Sequence, residues 1–383
     1  MAQRRLGFVD QFRGFATIFM IETHVLNALL FTSLKSQQAF KFVDFVNGLV
    51  APSFLFVAGF SFTLALNRKG DAYRKFSPEL FRHLRRLLFI WVAGYFLHVP
   101  FFSLRKSLYG ISPEGVLAFT AVDILQCIAV TLFILHILRV IIKDDRKFNL
   151  FVFVLFIFFV FAAPIAGSVD VSRTLPLFLA QYFNRLHGSL FPLFPWASFL
   201  IGGTIASQFV ASRTDAAGTG KIDRSVSTRI LWIGVATTLV GLIFSIVEKE
   251  LFTEPHFADY SPSWFLLRFG LLLLILYGLT VYEEAKGTDS SAIKLFGKES
   301  FFIYVFHLII VYGSSVTFPS LINLIGPHLG YAGCVVVFIL LAVAMYIAAR
   351  IWSNLKRNHY EMSRRVQYLF VTIVLYFFIS RPY

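Results

Sequence analysis

Of the 383 residues, 57% are hydrophobic and only 15% are charged, which leaves too little polar surface to cover a soluble globule; the chain reads as an integral membrane protein. The formal net charge is +14, but the basic residues gather in alternate loops, the pattern of membrane orientation rather than of phosphate-backbone binding, and no nucleic-acid partner is expected. Cys127 and Cys334 stand alone in apolar runs, without the spacing of a metal or redox motif, so neither a disulfide framework nor a metal site is implied.

Apolar runs of about 18 to 22 residues recur along the chain, too long and too uniform for outer-membrane strands, and predict helices. Eleven candidate spans cover residues 14–34, 46–66, 87–104, 124–142, 148–167, 190–210, 230–247, 263–282, 301–314, 331–352 and 366–379. The count becomes ten if the short last segment does not cross. The expected fold is therefore an all-α polytopic bundle of about eleven transmembrane helices. No internal repeat or domain-sized linker interrupts it, so one domain is expected over residues 1–383. Residues 1–12 run into the first span with no small-residue cleavage site, which predicts a retained first helix. The polar loops at 67–86 and 211–229 are rich in Lys and Arg; the positive-inside rule places them and the N-terminus in the cytoplasm.

Ionisable groups within these spans are expensive and point to sites. In the first span Arg13 and His24 are eleven residues apart, almost three helical turns, so both project from one face about 16 Å apart along the axis. Such a pair can hold two ends of one long ligand. A neutral imidazole at that depth can accept a proton, or it can simply hydrogen-bond to a neighbour such as Asn27. Arg13 can bind an anion, snorkel to the headgroups, or pair locally with Asp10. His98 is expected about 16 Å into the third span. At the head of the fourth span, Asp123 and Gln126 form either a helix cap or a polar contact for substrate. His187 precedes the sixth span. In the ninth, His307 reaches a depth of about 12 Å with Tyr304 one turn away, and three imidazoles at similar depth predict a polar cavity. Glu22 faces away from His24 and Arg268 lies near an interface, so both are left out of the site.

Several of these residues carry a resemblance. Asp10-Gln11-Phe12-Arg13-Gly14 followed by His24 resembles the opening of transmembrane acyltransferases, and residues 51–61 are similar to the second-helix motif of the heparan-α-glucosaminide N-acetyltransferase catalytic-domain family. Asp123 to Gln126, residues 190–203 and Ser300 to His307 also fit that family, so the resemblance spans roughly residues 1–310. It implies a membrane enzyme that takes an acyl group, usually acetyl, from cytoplasmic acyl-CoA and transfers it to a sugar or glycan at the other face. No permanently bound cofactor is implied. Bacterial members keep a histidine at the position of His24, and a bacterial inner membrane is the expected location. On this reading His24 and His307 are catalytic, Arg13 and Tyr304 bind the donor, and His98, Asp123, Gln126 and His187 contact the acceptor. The bilayer is the other partner, and the chain is compatible with a homodimer. A proton-coupled sugar or anion transporter and a noncatalytic membrane partner protein are the competing readings.

Overall fold

The computed structural model describes residues 6–99, 102–211, 223–251, 260–286, 292–313 and 320–381. Arg4, Arg5, most of the basic loop 211–229 and Ser314 at the end of the ninth expected span lie outside them. The described residues are helical and contain no strand. The main helices are α1 (Gly7–Leu29), α2 (Val50–Lys69), α3 (Pro78–Leu97), α4 (Ile124–Ile141), α5 (Asp145–Phe161) and α6 (Leu193–Ala211). They continue with α7 (Arg224–Leu251), α8 (Pro262–Lys286), α9 (Ala292–Lys298), α10 (Ser300–Tyr312), α11 (Tyr331–Asn358) and α12 (Tyr360–Ser380).

Among the described residues, 7 helical elements are long and apolar enough to cross a membrane, and 8 if α9 and α10, bent by 85°, make one broken span. The chain is an integral membrane protein. A helix overlies each of the eleven expected runs, yet three of these helices fall outside that set. Both α1, with Asp10, Arg13, Glu22 and His24, and α3, with Glu79, Arg82, Arg85 and Arg86, are polar, while α5 has 17 residues. The last segment is a helix of 21 residues and belongs to the seven.

Two boundaries differ from the hydropathy reading, and at the third helix local capping is the reason. The third helix starts at Pro78 because Ser77 accepts the Leu80 amide at 3.1 Å and proline stands in the first turn. It ends at Leu97, so His98 closes this helix instead of lying deep within a span. The first helix starts at Gly7, which places Arg13 nearly two turns inside it.

By its internal packing the chain divides into two compact units, the first made of residues 1–8, 51–98 and 113–287, the second of residues 9–50, 99–112 and 288–383. In the first unit α2 and α6 touch through their backbones. A Cβ on Gly59 would stand 1.7 Å from the Leu200 carbonyl oxygen, and one on Gly203 would stand 1.9 Å from that of Phe56. Thr63 Oγ1 donates to the Thr204 carbonyl at 3.1 Å across the same contact. Small residues allow this approach, and in a bilayer such packing and hydrogen bonding hold helices together.

The second unit repeats the device with α1 and α9. A Cβ on Gly14 would lie 2.0 Å from the Ile293 carbonyl oxygen, and one on Gly297 would lie 1.9 Å from that of Asp10. Farther along α1, Ile21, Val25, Ala28 and Leu29 recur at helical spacing and pack in one core with Ile303 and Val311 of α10 and with Leu341 and Met345 of α11.

Because backbone blocks both glycine sites in the second unit, a side chain there must push the helices apart, and overpacking of this kind costs about 1–3 kcal/mol. Gly14→Val and Gly297→Val should each lower the melting temperature of detergent-purified protein, whereas Gly330→Val, where a Cβ meets nothing within 4 Å, should not. Equal melting temperatures for all three would refute the close-contact account.

Candidate active site

In the second unit, α1 and α10 bring His24 and His307 together. Their ring centroids are 5.1 Å apart, with the planes at 49°. The apolar stripe described above flanks both imidazoles: Ile21 and Val25 bracket His24, and Ile303 and Val311 lie four residues on either side of His307. His307 is fully buried. Its Nδ1 lies 2.7 Å from the Ile303 carbonyl oxygen, which can only accept, so Nδ1 carries the hydrogen. In the neutral ring the lone pair is then on Nε2, which is buried and has no hydrogen-bond partner among the described residues. Tyr304 is buried with its ring 6.0 Å from that of His307.

His24 is half-buried, and its Nδ1 lies 3.2 Å from the Tyr312 hydroxyl. The partner is thus Tyr312, at the last position of α10, and not Asn27, which is exposed. Sequence reasoning missed Tyr312. Nothing local marked it, since five residues from His307 is about 140° round the helix, and only the fold shows which ring it meets.

Arg13 stands on the same unbroken helix as His24 and makes the expected ion pair with Asp10 at 3.8 Å. Asp10 is buried and the guanidinium is partly exposed, so the carboxylate helps to orient the cation. Glu22, left out of the site, is hydrogen-bonded to Asn47.

His98, Asp123 and Gln126 meet in the first unit. His98 Nδ1 donates to the Gly94 carbonyl at 2.9 Å, and Nε2 lies 3.6 Å from Asp123 Oδ2. Asp123 and Gln126 form a capping box at the start of α4, with Gln126 Oε1 accepting the Asp123 amide at 3.3 Å. That leaves Gln126 Nε2, a donor, buried and without a partner among the described residues. Gly94 makes room for this amide, since a Cβ there would come within 2.6 Å of it. On the face of α3 that carries His98, Trp91 Nε1 donates to the Tyr182 hydroxyl at 2.8 Å, and the Tyr95 hydroxyl lies 3.0 Å from the same oxygen. Arg268, also left out of the site, stacks on Trp264 at 4.1 Å.

Of the three imidazoles expected at one level, His24 and His307 pair in the second unit, and His98 lies against Asp123 in the first. His187 is occupied elsewhere. Its Nε2 lies 2.9 Å from Asp170 Oδ1, which also accepts from the Ser172 hydroxyl.

These features define a helical membrane protein with two paired imidazoles, one buried and one half-buried, and an arginine on the same helix as one of them. The family model described as heparan-alpha-glucosaminide N-acetyltransferase, catalytic, matches residues 5–246, more than half of the chain, and the chain belongs to that family. The match includes Arg13, His24, His98, Asp123, Gln126 and His187. It stops short of Tyr304 and His307, so the family relationship covers less than the first 310 residues expected from the motifs. A search among curated proteins returned no match.

The Asp170 contacts give a titration. The Ser172 hydroxyl, followed by His187, holds the Asp170 carboxyl down to about 2, against about 3.9 for an unperturbed aspartate. The sign follows from the depressed value: the interaction stabilises the loop fully above the unperturbed range and is lost as pH falls through about 2. Carbon-13 NMR should find this midpoint, and His187→Ala should raise it. A midpoint near the ordinary value in the unaltered protein would remove the pairing.

Proposed function

We propose that this protein is a membrane acyltransferase that moves an acyl group, acetyl by the description of its family, from cytoplasmic acyl-CoA to an amino sugar or glycan acceptor. The observation that carries the reading is the His24–His307 pair, one of whose buried nitrogens lacks a hydrogen-bond partner, with Arg13 on the same helix as His24. A buried lone pair without a donor is costly, and such groups are the ones that take part in proton transfer.

The donor fits the spacing. Coenzyme A bears phosphates at one end and a thioester at the other, and the rise of α1 between Arg13 and His24 is about 16 Å, close to the length of the pantetheine arm. Arg13 holds phosphate, with Asp10 orienting its fork. His24 removes the proton from the attacking amine or hydroxyl, while His307 and Tyr304 shape the pocket and His307 Nε2 offers a second proton acceptor. In the first unit the His98, Asp123 and Gln126 group offers a carboxylate and an amide donor, the chemistry that binds hydroxyl and amino groups, and we assign it to acceptor recognition. His187, held by Asp170, we assign to the acceptor as a separate point of contact.

His24→Ala should fold, retain acyl-CoA binding and lose about 10² to 10⁴ in turnover, with a smaller loss for His307→Ala. Arg13→Lys keeps the charge but loses the planar fork, so it should raise the KM for the donor and spare kcat at saturation. Labelled acetyl-CoA supplied to purified protein with a panel of amino sugars measures all three. Near-normal turnover in a folded His24→Ala protein sinks the reading, and uptake of sugar without acylation favours a transporter.

The same proposal fixes an orientation in a bacterial inner membrane: eleven crossings, N-terminus inside, and the basic loop 67–86 on the donor side. A cysteine replacing exposed Lys75 should resist an impermeant thiol reagent in intact cells, and one replacing exposed Tyr109 should react. The opposite labelling would place donor entry on the wrong face.

A further inference from the structure

Tyr312 belongs to no motif in the sequence and lies beyond the residues of the family match, yet its hydroxyl is the partner of His24 Nδ1. Its ring stands edge-on to the imidazole, at 5.5 Å and 89°. A neutral histidine has one hydrogen to place on two nitrogens, and the bond made by one nitrogen decides which of them is the base. For His307 a backbone carbonyl settles the question by accepting from Nδ1. For His24 the partner is a hydroxyl, which can accept as well as donate.

We infer that Tyr312 is a positioning residue that sets the tautomer of His24: the phenol oxygen accepts the Nδ1 hydrogen, and the lone pair is left on Nε2. Tyr312 is 39% exposed, so its own hydrogen has room to point away from the imidazole. The inference rests on the reading of His24 as the base in acyl transfer. As the acceptor's nitrogen or oxygen forms its bond to the acyl carbon, its proton passes to His24 Nε2 and the carbon–sulfur bond breaks. The imidazolium then carries two N–H groups. Nδ1–H stays on the Tyr312 oxygen, and the Nε2 proton goes to the departing thiolate, giving free thiol, acylated acceptor and the starting tautomer. With the hydrogen on Nε2 instead, the ring would face the acceptor with a donor and could not take its proton.

Nitrogen-15 NMR of histidine-labelled protein tests this without any substrate, with the His24 signals assigned by their absence in His24→Ala. Unaltered protein should show His24 protonated at Nδ1. Tyr312→Phe keeps the ring contact and removes the oxygen, so it should shift the population toward Nε2–H and lower kcat by about tenfold or more. An Nε2-protonated His24 in the unaltered protein overturns the inference, and that spectrum decides the matter even if the variant does not fold. A folded Tyr312→Phe protein with unchanged tautomer and kcat overturns it as well. The underlying reading fails separately, through retained turnover in His24→Ala.

Discussion

Backbone contact between α1 and α9, at Gly14 and Gly297, is the constraint on which the second unit depends. Lipid tails are as apolar as leucine, so burial alone does not select one rotation of a membrane helix over another; close packing and polar contacts must do so. Two glycines, each facing the other helix's carbonyl oxygen, admit one rotation of α1. A turn of one residue, about 100°, would carry Gly14 off the contact and swing His24 away from α10. The position of the imidazole is thus set ten residues away from it, by residues without side chains.

The same local device serves two histidines with different outcomes. His98 and His307 each donate Nδ1–H to the carbonyl four residues earlier, Gly94 and Ile303 respectively, and each presents Nε2 to its surroundings. At His98 a carboxylate is waiting, and Asp123 itself belongs to a capping box. At His307 the nitrogen is buried and has no partner among the described residues. One imidazole is tied into a polar cluster, whereas the other keeps an unused acceptor in a place where water is scarce. That difference, rather than depth in the membrane, is what the proposed reading uses to tell an anchoring histidine from a proton acceptor.

What could be read directly from the sequence was what periodicity and local spacing control. Helical class, the shared face of Arg13 and His24, the Asp10–Arg13 ion pair and the Asp123–Gln126 cap all lie within a few turns of one helix. The meeting of His24 with His307 followed from the cost of placing either one alone in hydrocarbon. Hydropathy failed where a cap overruled it: Ser77 and Pro78 start α3 ahead of its apolar run, and the helix ends at Leu97, before His98. Contacts between distant segments left no local mark. His187 finds Asp170 across a loop of irregular structure, and Tyr312 reads in sequence as one more aromatic residue near the end of an apolar run.

The division of the site along the chain follows from the same physics. Arg13 and His24 lie within the 5–246 stretch that defines the family, but the imidazole and phenol facing His24 come from α10, beyond it. On the proposed reading the first stretch carries the cation and the base on one helix, and the later one supplies the groups that orient the base and leave one of its nitrogens free. A base held at one nitrogen by a hydroxyl group is responsive to that group, because its tautomer shifts when the partner changes from acceptor to donor. Chemistry that resides in the family's matched region is in this way tuned by a segment outside it, and the glycine contact between α1 and α9 brings the two into register.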